Sequence, residues 1–291
     1  MNPKFLLWAA SALLTISTGA ATAADWSDTS LSLRYGTSFA EPYDNNTDGS
    51  RKDIKKAILA LTHASGYKYG SNFFNVDLLM SDHNDPSSAN ASSGAHEAYV
   101  VYRHTLDLAK VSGQGFKFGP VRGLGATAGF DFNTKTDAGY NSKKRMLVLG
   151  PTVMFDVPGF LNVSLLALWE SNAPYNTFSN TSTPRYRYKT HPMLTAAWGI
   201  PVGAGFSFEG FANWIASKGK NEFGGSTRPE TNIDAQLMYD ASALVGAGKN
   251  TFKVGLEYQY WRNKFGNPTV ASGAGPGATA RTPMIRAEYH F

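Results

Sequence analysis

Four aromatic residues stand where their neighbours in an alternating pattern are polar. Phe73, Tyr99, Phe211 and Trp261 all fall on the polar side of such segments. A ring in a wet environment offers a flat surface on which a base or sugar stacks, and nearby amides and carboxylates offer hydrogen bonds. The pattern predicts binding of a small polar solute; rings that merely fill a narrow interior are the alternative. The predicted solute-binding set is Phe73, Asn75, Asp77, Glu97, Tyr99, Arg103, Phe211, Asn213, Glu257, Gln259 and Trp261.

The rest of the polar side carries charges of both signs. A pore selective for ions of one sign would show rings of the opposite charge. The mixture fits a neutral solute, or pairs of charges that hold a wall together. Further residues predicted on this side are Arg34, Lys56, Asp107, Asp131, Glu170, Arg187, Lys189, Glu209, Asp234, Gln236, Arg286 and Glu288.

Catalytic chemistry has one weak candidate. His63 and Ser65 share a strand face, as the His and Ser of barrel phospholipases do. They fall near the inner end of the second predicted strand, and no extended motif surrounds them. An outer-membrane lipid hydrolase is therefore a minor alternative, and we expect no catalytic residues and no enzyme.

Metal, phosphate and nucleic-acid sites are also not indicated. The six histidines show no metal-ligand spacing, and the glycine pairs at 123–125 and 203–205 do not precede a helix. The net charge of +5 is small and forms no basic stripe. We expect no cofactor, no metal and no nucleic-acid partner.

The elements that must position these residues are strands, because apolar and polar residues alternate with a period of two. In the last segment Ile285, Ala287, Tyr289 and Phe291 share one face, while Arg286 and Glu288 lie on the other. One face suits lipid and the other a wet lumen. About twelve strands are predicted, at 28–38, 54–65, 70–81, 96–109, 121–133, 144–156, 160–171, 185–199, 206–214, 233–240, 252–261 and 283–291.

The connectors alternate in length. Short stretches rich in Gly or Pro, at 66–69, 112–120, 158–159, 201–204 and 246–250, are typical of periplasmic turns. Longer polar stretches at 41–53, 82–95, 134–142, 173–184, 218–230 and 264–280 are typical of extracellular loops. An even number of strands that begins and ends in the periplasm predicts an all-β fold, a closed antiparallel up-and-down transmembrane barrel without open edges. A soluble sandwich also alternates, but it does not explain apolar faces that end in aromatic residues.

The N-terminus has the layout of a secretory signal peptide. Lys4 precedes an apolar run at 5–16 and small residues that end in Ala23, so we expect a signal peptide at 1–23 and a barrel domain at 24–291. The chain has 0 Cys and 13% aromatic residues, which suit export and interfacial girdles. These features predict the outer membrane of a Gram-negative cell.

Several stretches resemble one known family. The residues at 70–77, Phe118-Gly119-Pro120, the stretch at 146–159 with Pro158-Gly159, and the terminal Glu288-Tyr289-His290-Phe291 are similar to those of the Tsx-like nucleoside-specific channels. The resemblance covers most of the mature chain loosely. It implies a barrel of about twelve strands and passive, binding-assisted passage of nucleosides. It supplies no match, residue by residue, for the nucleoside-contacting positions.

The last residue and the loops carry two further expectations. Phe291 ends an alternating strand, which is typical of the signal that the barrel-assembly machinery reads, so that machinery and outer-membrane lipid are expected partners. Exposed loops also serve structural barrels, adhesins and phage receptors without leaving a sequence signature, which keeps that class as the main alternative to a channel.

Overall fold

The computed structural model describes residues 24–176, 179–270 and 273–291. The predicted signal peptide at 1–23 and parts of the fourth and sixth predicted loops lie outside the described residues. Twelve long antiparallel strands follow one another in chain order: β1 (Trp26–Phe39), β2 (Ile54–Tyr67), β3 (Gly70–Ser81), β4 (His96–Asp107), β5 (Val121–Lys135), β6 (Arg145–Phe155), β7 (Phe160–Asn172), β8 (His191–Gly203), β9 (Phe206–Ile215), β10 (Glu230–Asp240), β11 (Phe252–Arg262) and β12 (Thr279–His290).

The sheet closes on itself between its first and last strands. Leu33 of β1 lies opposite Leu59 of β2 on one side and opposite Ala287 of β12 on the other. Every strand of the barrel therefore has a hydrogen-bonded neighbour on both sides, as a span through lipid requires. The predicted closed, twelve-strand antiparallel barrel is confirmed. One short extra strand, Tyr186–Arg187, pairs with β7 outside the meander.

Strand alternation separates an apolar exterior from a polar interior. In β1, Ser32 and Arg34 are buried, whereas Leu33 between them is 56% exposed. Leu256 and Ile285 repeat this outward exposure on β11 and β12, at 66% and 63%. So much apolar surface around a closed barrel is what a lipid environment covers.

Most connections follow the predicted alternation in length, but the inner connections at 108–120 and 241–251 are longer than the outer loop at 136–144. The inner turns are 68–69, 108–120, 156–159, 204–205 and 241–251, and the outer loops are 40–53, 82–95, 136–144, 173–190, 216–229 and 263–278. Two turns have only two residues, and in one of them, Ala204-Gly205, φ is +50° and +81°, the left-handed geometry that suits a two-residue hairpin. Inside the described ranges no helix reaches the length and apolarity needed to cross a membrane.

Most predicted strand ends differ from the structure by a few residues, and two of these differences change the interpretation. The fourth strand stops at Asp107, because its carboxylate accepts the N–H of Ala109 at 2.9 Å and begins a short helix, α1 (Leu108–Ser112). The eighth strand begins at His191 and not at 185. Arg187 was predicted to face the interior, which is wrong: it lies opposite the outward Ser171 and is exposed. Lys189 was also predicted to face the interior, which is wrong as well, because it lies in a loop and is exposed.

Candidate functional site

All of the predicted solute-binding residues face the barrel interior. On β3 and β4, Phe73 lies opposite Arg103 and Asp77 lies opposite Tyr99. On β9 to β11, Phe211 lies opposite Asp234, which lies opposite Gln259. Period two explains this agreement, because a residue's parity along a pleated strand fixes the side on which it projects. The eleven residues fall into two groups, one on β3 and β4 (Phe73, Asn75, Asp77, Glu97, Tyr99, Arg103) and one on β9 and β11 (Phe211, Asn213, Glu257, Gln259, Trp261).

The first group is organised around Asp131 of β5. The guanidinium of Arg103 and the hydroxyl of Tyr99 both donate to this carboxylate, the latter at 3.1 Å. The same Nη1 of Arg103 also reaches the backbone oxygen of Tyr102 at 2.9 Å. Phe73, across the strand pair, is 40% exposed, which is unusual for a ring in a barrel interior. A partly free guanidinium thus lies beside an open aromatic face.

Arg34 of β1 joins the two groups. Its Nη2 donates to Asp77 at 2.5 Å and its Nη1 to Glu257 at 3.2 Å. Asn75 donates to Asp77 at 3.0 Å, so the polar chain continues along β3. Arg286 completes the set with a 2.9 Å bond to the other oxygen of Glu257.

The second group is less exposed. Trp261 donates its indole N–H to Glu230 at 2.6 Å, and Gln259 contacts Asp234 at 3.4 Å. Glu257 is 2% exposed, and both of its carboxylate oxygens are engaged by guanidiniums. Its role is therefore to hold the wall from which Gln259 and Trp261 project.

The outer half of the interior contains a buried network that sequence reasoning missed. Glu41, from the first outer loop, accepts from Lys56 at 2.6 Å and from Lys264 at 3.0 Å, and lies 3.3 Å from Lys135. The side chains of Glu41, Lys56 and Lys135 are at most 4% exposed, and that of Lys264 is 6% exposed. Two loops and two wall strands thus meet at one carboxylate.

Two more outer loops join the same network. Asp85, from the second loop, lies 3.3 Å from Lys56 and 3.2 Å from Lys135. Asp137, from the third loop, accepts from Lys135 at 2.9 Å. We call Glu41, Lys56, Asp85, Lys135, Asp137 and Lys264 the outer network.

A second buried cluster occupies the opposite wall at the same end. Lys218, from the fifth outer loop, donates to both oxygens of Glu170 at 2.8 Å. The ammonium of Lys144 lies 3.7 Å from Glu170 and 3.4 Å from the ring centre of Phe265, a cation–π contact. Tyr188 donates to Glu222 at 2.5 Å and ties the fourth loop to the fifth.

Burial and charge compete at the loop groups. Burial alone would raise the pKa of Glu41, but Lys135, Lys264 and Lys56 outweigh it and hold that pKa well below its usual range. The pKa of Asp85 is lowered for the same reason. Burial lowers the pKa of Lys144 to about 8, helped by the nearby charge of Lys218. Glu41 and Asp85 therefore stay ionised under physiological conditions, whereas burial raises the pKa of Asp137.

Part of the inner half of the interior is more open to solvent, although Glu288 on β12 is buried there and pairs with Arg286. Lys253 of β11 donates to Glu209 of β9 at 3.1 Å, with side chains 16% and 24% exposed. The side chain of Arg103 is 20% exposed, against 9% for Arg34 deeper in the wall. Apolar packing adds to the difference, since Ile54, Ile58 and other buried side chains form a cluster inside the outer half.

The missed residues share a cause. Glu41, Asp85, Lys218 and Lys264 lie in loops, where no period-two pattern exists to assign a side. Lys135 belongs to β5, two residues past the predicted end at 133. The one available signal was the presence of charged residues within four positions of a strand end.

The alternative chemistries receive no geometric support. The ring of His63 shares a 2.8 Å hydrogen bond with Thr29 on the neighbouring strand, so its recorded partner is not Ser65. Across the described parts of the chain, no group of three or more His, Asp or Glu side chains is placed to hold a metal ion.

Comparison with known proteins bears on the fold. No family model and no curated protein matches the sequence. An outer membrane channel from Pseudomonas putida F1 is similar in structure, with a TM-score of 0.51 and 12% identity over 93% of this chain and 97% of that one. The fold is that of an outer-membrane β-barrel. With the apolar exterior, it indicates the outer membrane of a Gram-negative cell, as predicted.

Two further solved structures are more distant. The KdgM porin has a TM-score of 0.41 and 11% identity, covering 90% of this chain and 99% of the porin. The translocator domain of the autotransporter NalP from Neisseria meningitidis has a TM-score of 0.45 and 13% identity, covering 99% and 96%. The fold assignment rests on the channel from P. putida and on the strand pairing itself.

Proposed function

We propose that this barrel is a narrow outer-membrane channel for passive, binding-assisted diffusion of small polar solutes, with nucleosides as the cargo. The observation that carries the proposal is the exposed ring of Phe73 beside the partly free guanidinium of Arg103 inside the barrel. A solute with a flat ring and several hydroxyls fits such a pair. The ring stacks, and the donors hold its polar edge.

The balance of charge supports a neutral cargo. Several interior carboxylates are paired with guanidiniums or ammoniums, as Asp77 is with Arg34 and Glu209 with Lys253, whereas Glu97, Glu230 and Asp234 accept from neutral side chains. Such pairing leaves little net field to select one ion sign. The likeness to Tsx-like channels in the stretches at 70–77 and 146–159 agrees with nucleosides as that cargo.

The buried outer half makes the proposed passage narrow. Solute from outside has to pass loops that Glu41 and Glu170 hold by ion pairs. We therefore expect a small conductance, limited at the outer end, and stacking of solute in the inner half.

The test is conductance of the purified, refolded protein in planar bilayers. We expect small steps that adenosine or thymidine, at micromolar to millimolar concentration, reduces in a saturable way. Sugars and amino acids are the comparison solutes. Conductance that nucleosides do not reduce would support a channel but contradict nucleosides as its cargo. Absence of conductance would contradict the channel itself.

A structural barrel, an adhesin or phage receptor, is the second candidate. The observation that favours it is the burial of the loop charges, which makes the outer end a firm surface. Absence of conductance together with specific attachment of cells or phage would decide for it.

We also propose that Phe291 serves recognition by the barrel-assembly machinery. Its side chain is 68% exposed, and its N–H donates to the backbone oxygen of Thr29 at 2.9 Å, where β12 meets β1. The ring therefore does not contribute to closure itself. Deletion of Phe291 should lower the yield of heat-modifiable barrel in cells and leave refolding in detergent unchanged.

A further inference from the structure

Three arginines lie together on the outside of the barrel at its outer end. Arg145 of β6 is directly opposite Ser171 of β7, and Arg187 pairs with the other side of the same serine. Arg185 donates to the hydroxyl of Ser171 at 3.1 Å. All three arginines therefore lie around one outward position. We call Arg145, Arg185 and Arg187 the arginine site.

The charges of this site are not balanced by protein. None of the carboxylates in the described parts of the chain lies within 4 Å of these three guanidiniums, whereas interior arginines such as Arg34 have two. Arg185 is nonetheless fixed, because its second nitrogen donates to the backbone oxygen of Lys143 at 3.0 Å. Arg145 lies 5.7 Å from the ring centre of Phe132. Burial lowers the pKa of Arg185, and the positive charge of Arg145 adds to this effect. Three arginines placed around one serine, with no carboxylate beside them in the described residues, suit an anionic partner.

An apolar groove lies on the same strands, further toward the middle of the membrane than the arginine site. It has a volume of about 390 Å³ and opens on the lipid-facing surface of β6, β7 and β8. Its outward-facing side chains are Leu149, Pro151, Leu165, Ala167 and Pro192. The small Ala167 lies between larger neighbours and forms the floor. On β7, Trp169 separates this floor from Ser171 and is 44% exposed.

The arginine site suits a lipid headgroup and the groove suits an acyl chain, and both lie on the same part of the barrel wall. A phosphate monoester suits a cluster of guanidiniums, which bind its oxygens through pairs of N–H donors. An acyl chain suits the groove below. The site lies at the end with the long loops, which faces the outer leaflet.

We propose that the arginine site and its groove form a binding site for a phosphorylated, polyacylated glycolipid of the outer leaflet. The phosphate engages Arg145, Arg185 and Arg187, and one acyl chain lies over Ala167. This site is on the exterior and does not depend on the proposed channel function.

The test uses the refolded full-length barrel in a neutral maltoside detergent, titrated with diphosphoryl lipid A and followed by native mass spectrometry. The charge variant is Arg145→Gln/Arg185→Gln/Arg187→Gln. We expect it to bind about tenfold more weakly, as three partly exposed ion pairs together contribute. The matched control is Lys68→Gln/Arg122→Gln/Lys249→Gln, which removes the same charge from exposed positions at the inner rim. We expect wild-type binding from it.

A groove variant tests the second half of the site. Ala167→Trp fills the groove from an outward position and leaves the arginines in place, so we expect weaker binding of lipid A. Folding of every variant is checked by heat-modifiable migration on gels. If the triple variant does not fold, Arg145→Gln and Arg187→Gln, both at exposed positions, are each expected to weaken binding about threefold.

Three results would overturn the proposal. The first is wild-type affinity in the arginine variants. The second is equal binding of dephosphorylated lipid A, which would show that the arginines do not bind the phosphate. The third is equal binding of dipalmitoyl phosphatidylglycerol, which would mean that any anionic lipid is taken. Unchanged affinity in Ala167→Trp would remove the groove from the site.

Discussion

The outer and inner halves of the barrel interior contain similar residue types but treat charge differently. In the outer half Glu41 and Lys56 are 4% and 2% exposed and belong to a network that four loops share with the wall. In the inner half Glu209 and Lys253 form one pair with side chains 24% and 16% exposed. A buried charge depends on each of its partners, whereas a wet pair does not. The outer half should therefore respond to single changes as a unit, and the inner half residue by residue.

The largest effect is expected from Glu41→Gln. This change leaves the ammoniums of Lys56, Lys135 and Lys264 buried without their shared carboxylate, and losing one partner of a buried ion pair costs about 3–5 kcal/mol. We expect the outer loops to detach, with a several-fold larger conductance and faster cleavage of the loops by protease. Glu209→Gln, in the inner half, is the matched control. Equal conductance in the two variants would show that the outer half does not depend on its ion pairs more than the inner half does.

Acid should remove the charge of Asp137 first, because burial raises its pKa, and the charge of Glu41 only below the usual carboxylate range. The pKa of Glu41 in the folded chain is held well below its ordinary value of about 4.3. Its stabilisation is therefore complete above about pH 4.3 and is lost as the pH falls through the lower folded-state pKa. Conductance measured from neutral pH downward should stay constant until that point and then rise. A rise near neutral pH would show that this carboxylate does not hold the loops.

These two predictions rest on Glu41 and its partners in the loops, whose burial in the barrel interior the sequence did not predict. The facing of Phe73, Tyr99 or Trp261 follows from the pleat, because parity alone chooses the side. Loops have no such rule. Glu41 and Lys264 lie 223 positions apart and meet only because the barrel brings β1 beside β12. Arg187 shows the opposite error, because here the alternating pattern predicted a strand where the chain forms a loop. The alternation of polar residues begins after Pro184, but the eighth barrel strand starts only at His191, and Tyr188 instead turns inward to Glu222.

In the inner half, Phe73→Ala should weaken nucleoside block of conductance without changing the conductance itself. Loss of one base–aromatic stack costs about 1–3 kcal/mol, roughly five- to 150-fold in affinity. Phe73→Tyr keeps the ring and should retain the block. The dose dependence for adenosine, measured on both variants, checks this. Identical block in Phe73→Ala and wild type would place the binding elsewhere in the barrel.

The smallest effect is expected from Lys253→Gln. A pair as exposed as Lys253 and Glu209 contributes about 0–1 kcal/mol, so thermal stability should hardly change. The uncovered Glu209 should instead favour cations slightly. Reversal potentials in a potassium chloride gradient measure the change. A stability loss as large as that of Glu41→Gln would show that the inner half is also a cooperative unit.

Accessibility of introduced cysteines tests the difference between the two halves most directly, because the chain has no cysteine of its own. Phe73→Cys marks the inner half, and Ala280→Cys marks an inward position of the outer half that is 1% exposed. A charged, membrane-impermeant thiol reagent added from the inner side should modify the first far faster than the second. Adding Glu41→Gln should make the second reactive. Equal rates in the two single variants, or no gain with Glu41→Gln, would contradict the account.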